Sequence, residues 1–512
     1  MRIGIDVGGT HTDAVILDGD KVIAATKALT TADVVSGVSK ALDEILTIGG
    51  VKDNQIETVM IGTTQFTNAV IERRSLTRMA AVRIGLPSGK GMPPMIDWPA
   101  DMKTAINAQV HMMHGGYLYD GHLLAALRAD EIEALIADLK KENIKNISIA
   151  SAFSPMNAEP EITVSRAIKA AIPDANITLS HEFGRLGLME RENASILNTA
   201  LLPFAAKVVD AFQAALKNRG LNCPAYISQN DGTLMNSNFV RRFPALTFSS
   251  GPTNSLRGAF KLTGLEDAIV VDIGGTTSDI GVLQGGFPRE SNVVVDIGGI
   301  RTNFRMPDIM AIGLGGGSLV TENGKKVGPH SVGHKLVKEG LVFGGETLTA
   351  TDIIVAAGDE TIGSPDNVKG LDKTLVRDAK ATMHTMLDRT IEMMKPGGKN
   401  LPVILVGGGS VLVTHGLKAA SKLCRPENAD VANAIGAAIA QVGGEAERML
   451  SYRNISREDA IEDVTRAAQA KAVAAGADAK TIRAVDIEET AIPYMDDGAT
   501  RVRVKVIGAL AK

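Results

Sequence analysis

The sequence predicts an α/β protein of two related lobes with a small α+β unit at its C-terminal end. Three observations lead there. An octapeptide near the start, Asp6-Val-Gly-Gly-Thr-His-Thr-Asp13, returns past the middle as Asp272-Ile-Gly-Gly-Thr-Thr-Ser-Asp279 and matches it at five of eight positions. Short apolar runs flank both copies, so each reads as strand, glycine turn, strand. Strand-like and helix-like runs alternate through the rest of the chain, the order that packs helices on the faces of a sheet. Glycine is also abundant, 53 of 512 residues, with only 4% aromatics, which suits many tight turns.

In chain order, a helix is predicted from about Ala32 to Leu46, capped by Thr31, with Val38, Ala41, Leu42 and Ile45 on its apolar face. Thr58 to Gly62 reads as a strand ending in Gly62-Thr-Thr-Gln-Phe-Thr-Asn-Ala69. The hydroxyls there either receive an anion at a helix N-terminus or simply cap the helix running on to Arg73. Met79 to Ile84 is a strand, and the Pro- and Met-rich stretch Leu86 to Ala100, with the only tryptophan, Trp98, reads as a loop over the surface or a cleft. Helices at Ala129 to Lys141 and Glu159 to Ala171 alternate with strands at Asn146 to Phe153 and Ile177 to Ser180. Helix Leu186 to Ala206 carries Glu190, Arg191, Asn193, Ser195 and Asn198, which line a site or lobe junction or else form a solvated face.

A first lobe boundary is placed at Pro203, giving units 1–202, 203–446 and 447–512. Pro224 to Ser228 and Thr247 to Phe248 are short strands, and Ser249 to Asn254 is a turn feeding a helix to about Leu262. Asp296-Ile-Gly-Gly-Ile300 nearly repeats the second octapeptide, but Ile300 replaces its threonine and marks a plain sheet turn. Gly313-Leu-Gly-Gly-Gly-Ser318 suits an anion loop and a hairpin equally. A long helix covers Lys373 to Met394, strand Pro402 to Val406 opens into Gly407-Gly-Gly-Ser410, and Ala429 to Val442 reads as a closing helix. In the tail, a helix from Arg457 to Ala475 precedes strands Ile482 to Ile487 and Arg501 to Ile507 around Met495-Asp-Asp-Gly498.

The chemistry concentrates at the glycine turns. Gly8, Gly9, Gly274 and Gly275 let backbone approach a phosphate, with Thr10, Thr12, Thr276 and Thr277 as hydrogen-bonding partners. Asp6 and Asp272, at strand ends, suit a hydrated Mg2+, which takes only one or two carboxylates and keeps several waters. The turn Gly407, Gly408, Gly409 and Ser410 allows the flat approach that a purine ring requires.

Composition narrows the partners. Lys plus Arg total 54 against 58 Asp plus Glu, a net charge of −4 with no basic stripe, which argues against nucleic acid. Cys223 and Cys424 are the only cysteines and neither has metal-ligand spacing, so a reducing, cytoplasmic setting is expected. Met1-Arg2 leads straight into a strand and no apolar run reaches 18 residues, so neither a signal peptide nor a membrane span is expected. Homo-oligomerisation is left open.

The twofold Asp-x-Gly-x-Thr pattern followed by Gly-Gly-Gly-Ser resembles the actin, hexokinase and heat-shock ATPase superfamily, which implies two ribonuclease-H-like lobes around an ATP cleft. The resemblance tightens to the hydantoinase/oxoprolinase family through both octapeptides, Gly62 to Ala69 with Glu72-Arg73, Ser180-His-Glu182, Ser250-Gly-Pro252 and Gly315-Gly-Gly-Ser318. It covers Met1 to about Val442 and departs at His11, where the family usually has Phe. It implies ATP and Mg2+ as cofactors, opening of a small cyclic amide such as a hydantoin, 5-oxoproline or lactam, and a separate second subunit. Asp6 and Asp272 would be catalytic through the metal, with His181 or Glu182 as the base that readies water. Asn68, Arg73, Glu190, Asn193, Asn198, Gly315, Gly316, Gly317 and Ser318 would hold the substrate. Some relatives act in ketone carboxylation. A small-molecule kinase and a non-enzymatic ATP-switched assembly protein use the same phosphate turns.

Overall fold

The computed structural model of the chain describes residues 1–8, 11–29, 34–119, 121–183, 187–291, 294–304, 306–453, 455–492 and 499–511. Gly9, Thr10, the expected Thr31 cap and the turn at 495–498 lie outside the described residues.

Arg2–Val7 (β1), His11–Asp18 (β2) and Lys21–Leu29 (β3) form an antiparallel meander, and Thr58–Thr63 (β4) lies parallel to β1 on its other side. β1, β2 and β4 are buried almost throughout, as strands covered on both faces must be. Helix Val34–Gly49 makes the crossover to β4 and buries Val38, Ala41, Leu42 and Ile45 against the sheet. The chain then makes an excursion. Ala80–Leu86 (β5), Gln109–His114 (β6), Asn146–Ser151 (β7) and Asn176–Leu179 (β8) form a separate parallel sheet in the order β6-β5-β7-β8. It returns through helix Leu188–Asn218 to Ala225–Ser228 (β9), parallel to β4, and Leu234–Asn236 (β10).

The second sheet repeats the first. Ala268–Ile273 (β11), Ser278–Gln284 (β12) and Phe287–Pro288 (β13) form a meander, and Ile309–Ile312 (β14) also pairs with β12. Val403–Val406 (β15) lies parallel to β11, and Leu423–Cys424 (β16) lies parallel to β15. The order β13-β12-β11-β15-β16 thus reproduces β3-β2-β1-β4-β9, strand for strand and direction for direction.

Two helices join the lobes, Ser250–Thr263 and Ala432–Ile439, packed backbone against backbone. A Cβ at Gly258 would overlap the Ala432 carbonyl and one at Gly436 the Asn254 carbonyl, so only glycine permits this approach. Val442 to Ser451 (β17), Arg483–Ala491 (β18) and Ala499–Gly508 (β19) follow, with helix Arg457–Ala475 packed on them. The tail has the expected α+β content, and its strands extend the first sheet as β10-β17-β19-β18.

Several sequence expectations shift. The boundary at Pro203 falls inside the 31-residue helix Leu188–Asn218, which runs on through the proline, and β9 and β10 beyond it complete the first sheet. That helix is long and apolar enough to cross a bilayer by length and composition, yet here it is mostly buried, packed against β7, β8 and helix Val34–Gly49. The stretch expected as a strand at Thr247 to Phe248 is a helical turn, Pro244–Thr247, and the closing helix is Ala432–Ile439, because Val442 already begins β17. The stretch Leu86 to Ala100, expected as a loop over the surface or a cleft, carries Trp98 into the core: it is buried, and its indole Nε1 donates to Asn193 Oδ1 at 2.8 Å.

Candidate active site

The two octapeptides are superimposable hairpins at the level of pairing. Asp6 faces Asp13 across β1 and β2, and Asp272 faces Asp279 across β11 and β12. Each turn closes with the same bond: Gly8 N donates to His11 O at 3.0 Å, and Gly274 N donates to Thr277 O at 2.9 Å. One helix reaches both hairpins with consecutive residues. Asn254 Nδ2 donates to Asp6 Oδ1 at 3.2 Å, while the Ser255 hydroxyl donates to Asp272 Oδ2. From the partner helix, Asn433 Nδ2 spans the first pair, 3.1 Å from Asp6 Oδ2 and 2.8 Å from Asp13 Oδ2. Lys27 Nζ, on β3, lies 2.7 Å from Asp13 Oδ1.

Four carboxylates against one nearby lysine set the electrostatics. Burial pushes Asp6 up to about 6, with the charges of Asp13 and Asp272 adding to it and hydrogen bonds from Asn254 and Asn433 opposing it. Burial and the neighbouring Asp272 push Asp279 up to about 7. Asp272 is also raised, chiefly by burial, although Ser255 and Lys27 oppose the shift. Acids held this way gain from a cation. Among the described residues no three His, Cys, Asp or Glu side chains converge at metal-ligand distance.

The late glycine turn presses on the second hairpin. Gly407, at φ +82°, leaves no room for a Cβ beside Asp272 Oδ1, and a Cβ at Gly409 would crowd the Gly274 carbonyl. Gly408 and Ser410 complete this turn directly after β15, with Ser410 N donating to Gly407 O at 3.1 Å. The loop Gly315 to Ser318 backs the same hairpin from the other side. Gly316 N donates to Gly274 O at 3.0 Å and Gly317 N to Gly275 O at 2.8 Å, and a Cβ at Gly315 would overlap Thr276 N. Ser318 Oγ is buried and accepts from Gly315 N at 2.8 Å. Their amides are spent on the protein, so these residues brace the second glycine turn and do not offer themselves to a substrate. Thr277 is exposed, Thr276 half-buried and Thr12 buried.

Residues 2–172 match the N-terminal region of the hydantoinase/oxoprolinase family, and residues 191–359 match the hydantoinase/oxoprolinase domain that follows it. The chain belongs to the hydantoinase/oxoprolinase family. It is 26% identical over 387 residues to caprolactamase subunit alpha of Pseudomonas jessenii, covering 70% of this chain and 54% of that one. It is 25% identical over 401 residues to the acetophenone carboxylase gamma subunit of Aromatoleum aromaticum, covering 70% and 53%. The chain therefore spans about half the length of the curated relatives it matches. The solved ATP-dependent caprolactamase from Pseudomonas jessenii shares the fold, with a TM-score of 0.79 at 18% identity over 100% of this chain and 88% of that one.

Within this family member the expected substrate residues scatter. Arg73, at φ +56°, is saturated: Nη1 donates to Val70 O, Nη2 to Gly298 O at 2.7 Å and Nε to Asp101 Oδ2. It ends a helix and anchors the hairpin at 295–302, so it is not free for a ligand. Asn193 joins Trp98 to the Arg301 carbonyl, and Asn198 joins Thr178, the Arg242 carbonyl and Ala245 N. Both are buried bolts between layers, which is why helix Leu188–Asn218 carries so many polar groups. Glu190 lies 3.6 Å from Arg301. Asn68 stays beside the first hairpin, since it reaches Thr64, whose hydroxyl donates to Val7 O at 3.3 Å. His181 Nδ1 is 2.7 Å from buried Glu161, whereas Glu182 pairs with Arg242 at 2.8 Å. Burial is the largest influence on Glu161 and raises it, but His181, Arg191 and Ser180 together outweigh burial and hold it below its ordinary value.

The residues not singled out from the sequence are Asp13, Lys27, Asn254, Ser255, Asn433 and Asp279. Both aspartates were visible as the closing letters of the octapeptides. Asn254 and Ser255 end and follow the turn at Ser249 to Asn254, whereas Lys27 and Asn433 carry no local motif, and all four reach the site through sheet pairing and the helix junction.

Proposed function

We propose that the chain binds ATP with Mg2+ between its lobes and uses it to open a small cyclic amide. The facing pairs Asp6/Asp13 and Asp272/Asp279, joined by one helix, are the observation that carries this reading. Asp6 and Asp272 would hold Mg2+ through water, where it would offset the charge of the phosphates. The amides and threonines of the two glycine turns would grip the phosphates, and the turn at Gly407 to Ser410 would face the adenosine. The γ-phosphoryl group passes to the carbonyl oxygen of the amide, converting a poor leaving group into a good one. Water adds to the carbon, the ring C–N bond breaks with nitrogen leaving as an amine, and a further water hydrolyses the acyl phosphate to release phosphate. His181, fixed at Nδ1 by Glu161, is the better-placed base of the two expected, because Glu182 is tied to Arg242.

Relatives that are subunits, such as caprolactamase subunit alpha, support a second subunit here as well. The cytoplasmic setting expected from the cysteines belongs to the same proposal. Likeness to a carboxylase gamma subunit favours one alternative, in which the same phosphoryl transfer activates an enolate oxygen for carboxylation. Product analysis separates the two. Incubation with ATP, Mg2+ and caprolactam, hydantoin or 5-oxoproline, with and without a co-expressed second subunit, should yield the open amino acid or ureido acid. Incorporation of labelled bicarbonate into a ketone, with no ring opening, would replace the first reading by the second.

A further inference from the structure

The likeness of the two hairpins ends one strand further out. Asp6 faces Asp13 across β1 and β2, and Asp13 faces Lys27 across β2 and β3, so the three side chains form one row on one face of the sheet. In the second lobe Asp272 faces Asp279, and Asp279 faces Ala311 on β14. Two acids and a lysine in the first lobe therefore correspond to two acids and an alanine in the second.

Lys27 is placed to serve both lobes. Its Nζ stands 2.7 Å from Asp13 Oδ1, and 29% of its side chain is exposed. The contact is one of charge alone: Asp13 Oδ1 receives no hydrogen bond, and among the described residues the ammonium commits none of its N–H groups to an acceptor. Asp13 has a second partner, because Asn433 Nδ2 donates to its Oδ2 at 2.8 Å. In the other lobe, burial raises Asp272, and the Ser255 hydrogen bond and then the Lys27 charge oppose the shift. A Cβ on Gly408 would lie 4.0 Å from Lys27 Cε, so the same side chain also borders the late glycine turn. An ammonium with unspent donors is thus within reach of both acidic pairs and of that turn.

We propose that Lys27 is a catalytic residue, which moves from Asp13 onto the nonbridging oxygens of the terminal phosphoryl group when ATP binds with Mg2+. This role rests on the use of ATP in the cleft proposed above. As the γ-phosphorus bonds to the acceptor oxygen, its bond to the β,γ-bridging oxygen breaks and ADP leaves with the electron pair. The ammonium stays protonated throughout and donates to the phosphoryl oxygens, offsetting the repulsion that the four carboxylates exert on the group in transfer. Asn433 keeps its bond to Asp13 when the lysine leaves.

Calorimetry on the full chain with Mg2+ and three ligands separates this role from a structural one. The ligands are ADP, the non-hydrolysable ATP analogue AMPPNP, and ADP with aluminium fluoride, which mimics the phosphoryl group in transfer. Lys27→Met should bind ADP within about twofold of wild type, AMPPNP about tenfold more weakly and the aluminium fluoride complex about 100-fold more weakly, the range for losing charge-assisted hydrogen bonds. Lys27→Arg should recover most of the loss. Adding Asp13→Asn to Lys27→Met should restore nothing, since the partner that is missed is the phosphoryl group and not Asp13. Equal losses for ADP and AMPPNP, or recovery in the double variant, would show that Lys27 only neutralises Asp13 and would overturn the proposal. So would a Lys27→Met chain that binds all three ligands as wild type does. If the wild-type chain binds none of them, the ATP reading falls and the role of Lys27 with it; if wild type binds and only the variants depart from this pattern, the role of Lys27 falls alone. Should Lys27→Met fail to fold, Lys27→Gln, which keeps a polar end beside Asp13, takes its place in the same three titrations.

Discussion

The two hairpins share a backbone and differ in how their carboxylates are kept. In the first, Asp6 and Asp13 receive Asn254, Asn433 and Lys27, groups supplied by β3 and by both junction helices. In the second, Asp272 has the Ser255 hydroxyl, and among the described residues no hydrogen bond reaches the Asp279 side chain. The second hairpin is instead hemmed in by backbone, with the Gly407 turn on one side and the Gly315 loop on the other. Duplication has kept the strand order and let the electrostatics diverge. The first pair is stabilised by hydrogen bonds and a lysine from the protein itself, and under the proposed function the second is left to the cation.

The sharpest way to break that comparison is to remove one carboxylate from each side. Asp272→Ala should lower ATP-dependent turnover about 100- to 1,000-fold, the usual loss when a preorganised charge-stabilising group is deleted. Asp6→Ala should fall in the same range, because both are proposed to hold the one metal. Steady-state phosphate release with nucleotide calorimetry checks this. If one variant keeps near-wild-type turnover, the metal belongs to a single hairpin and the pairing of the two lobes in catalysis is lost.

A second test addresses the junction that makes the hairpins neighbours. Gly258→Ala places a methyl where the Ala432 carbonyl stands, so the helices must part. Overpacking of this kind costs typically about 1–3 kcal/mol. The melting temperature should drop, and nucleotide affinity should fall with it, because Asn254 and Asn433 ride on the separated helices. Gly370→Ala, an exposed turn position with nothing within 4 Å of the added Cβ, is the control for the methyl group itself. A Gly258→Ala chain that melts as wild type would show that the junction yields freely.

Much of this was legible because it is local. The octapeptides announced their own strands and turns, and helices at Ala129–Lys141, Glu159–Ala171, Lys373–Met394 and Arg457–Ala475 lie where their local sequence pattern puts them. What the sequence concealed is non-local. No pattern near Pro203 says that β9 and β10 return to the first sheet, or that strands after Val442 extend it. The polar stripe at Arg191, Asn193 and Asn198 looked like a ligand surface because buried hydrogen-bonding groups and ligand-binding groups have the same composition. Only their partners, Ser180, Trp98 and Thr178, tell them apart. Lys27 and Asn433 stand more than 400 residues apart, and only folding brings them to Asp13.

The smallest expected effect is a pH dependence that belongs mainly to the second hairpin. Asp279 is raised to about 7 and Asp6 to about 6 from an ordinary 3.8, each chiefly by burial. Between the ordinary and the raised values the native state binds more protons than the unfolded chain, so the slope of stability with pH is negative. The ligand-free protein should therefore lose stability as pH rises from about 4 to about 7 and stay level above. Mg2+ with ATP needs the ionised acids, so its affinity should move oppositely and weaken as pH falls through about 7 to 6. Asp279→Asn removes the upper part of this window, and should stabilise the ligand-free chain at pH 8 by roughly 1–3 kcal/mol while leaving pH 4 unchanged. Asp6→Asn should gain less, because Asn254 and Asn433 already stabilise the Asp6 charge. Thermal melts from pH 4 to 8 without nucleotide measure both slopes. Equal gains from the two variants would mean that the hairpins are electrostatically alike, and that the hydrogen bonds seen only at the first do not set the difference.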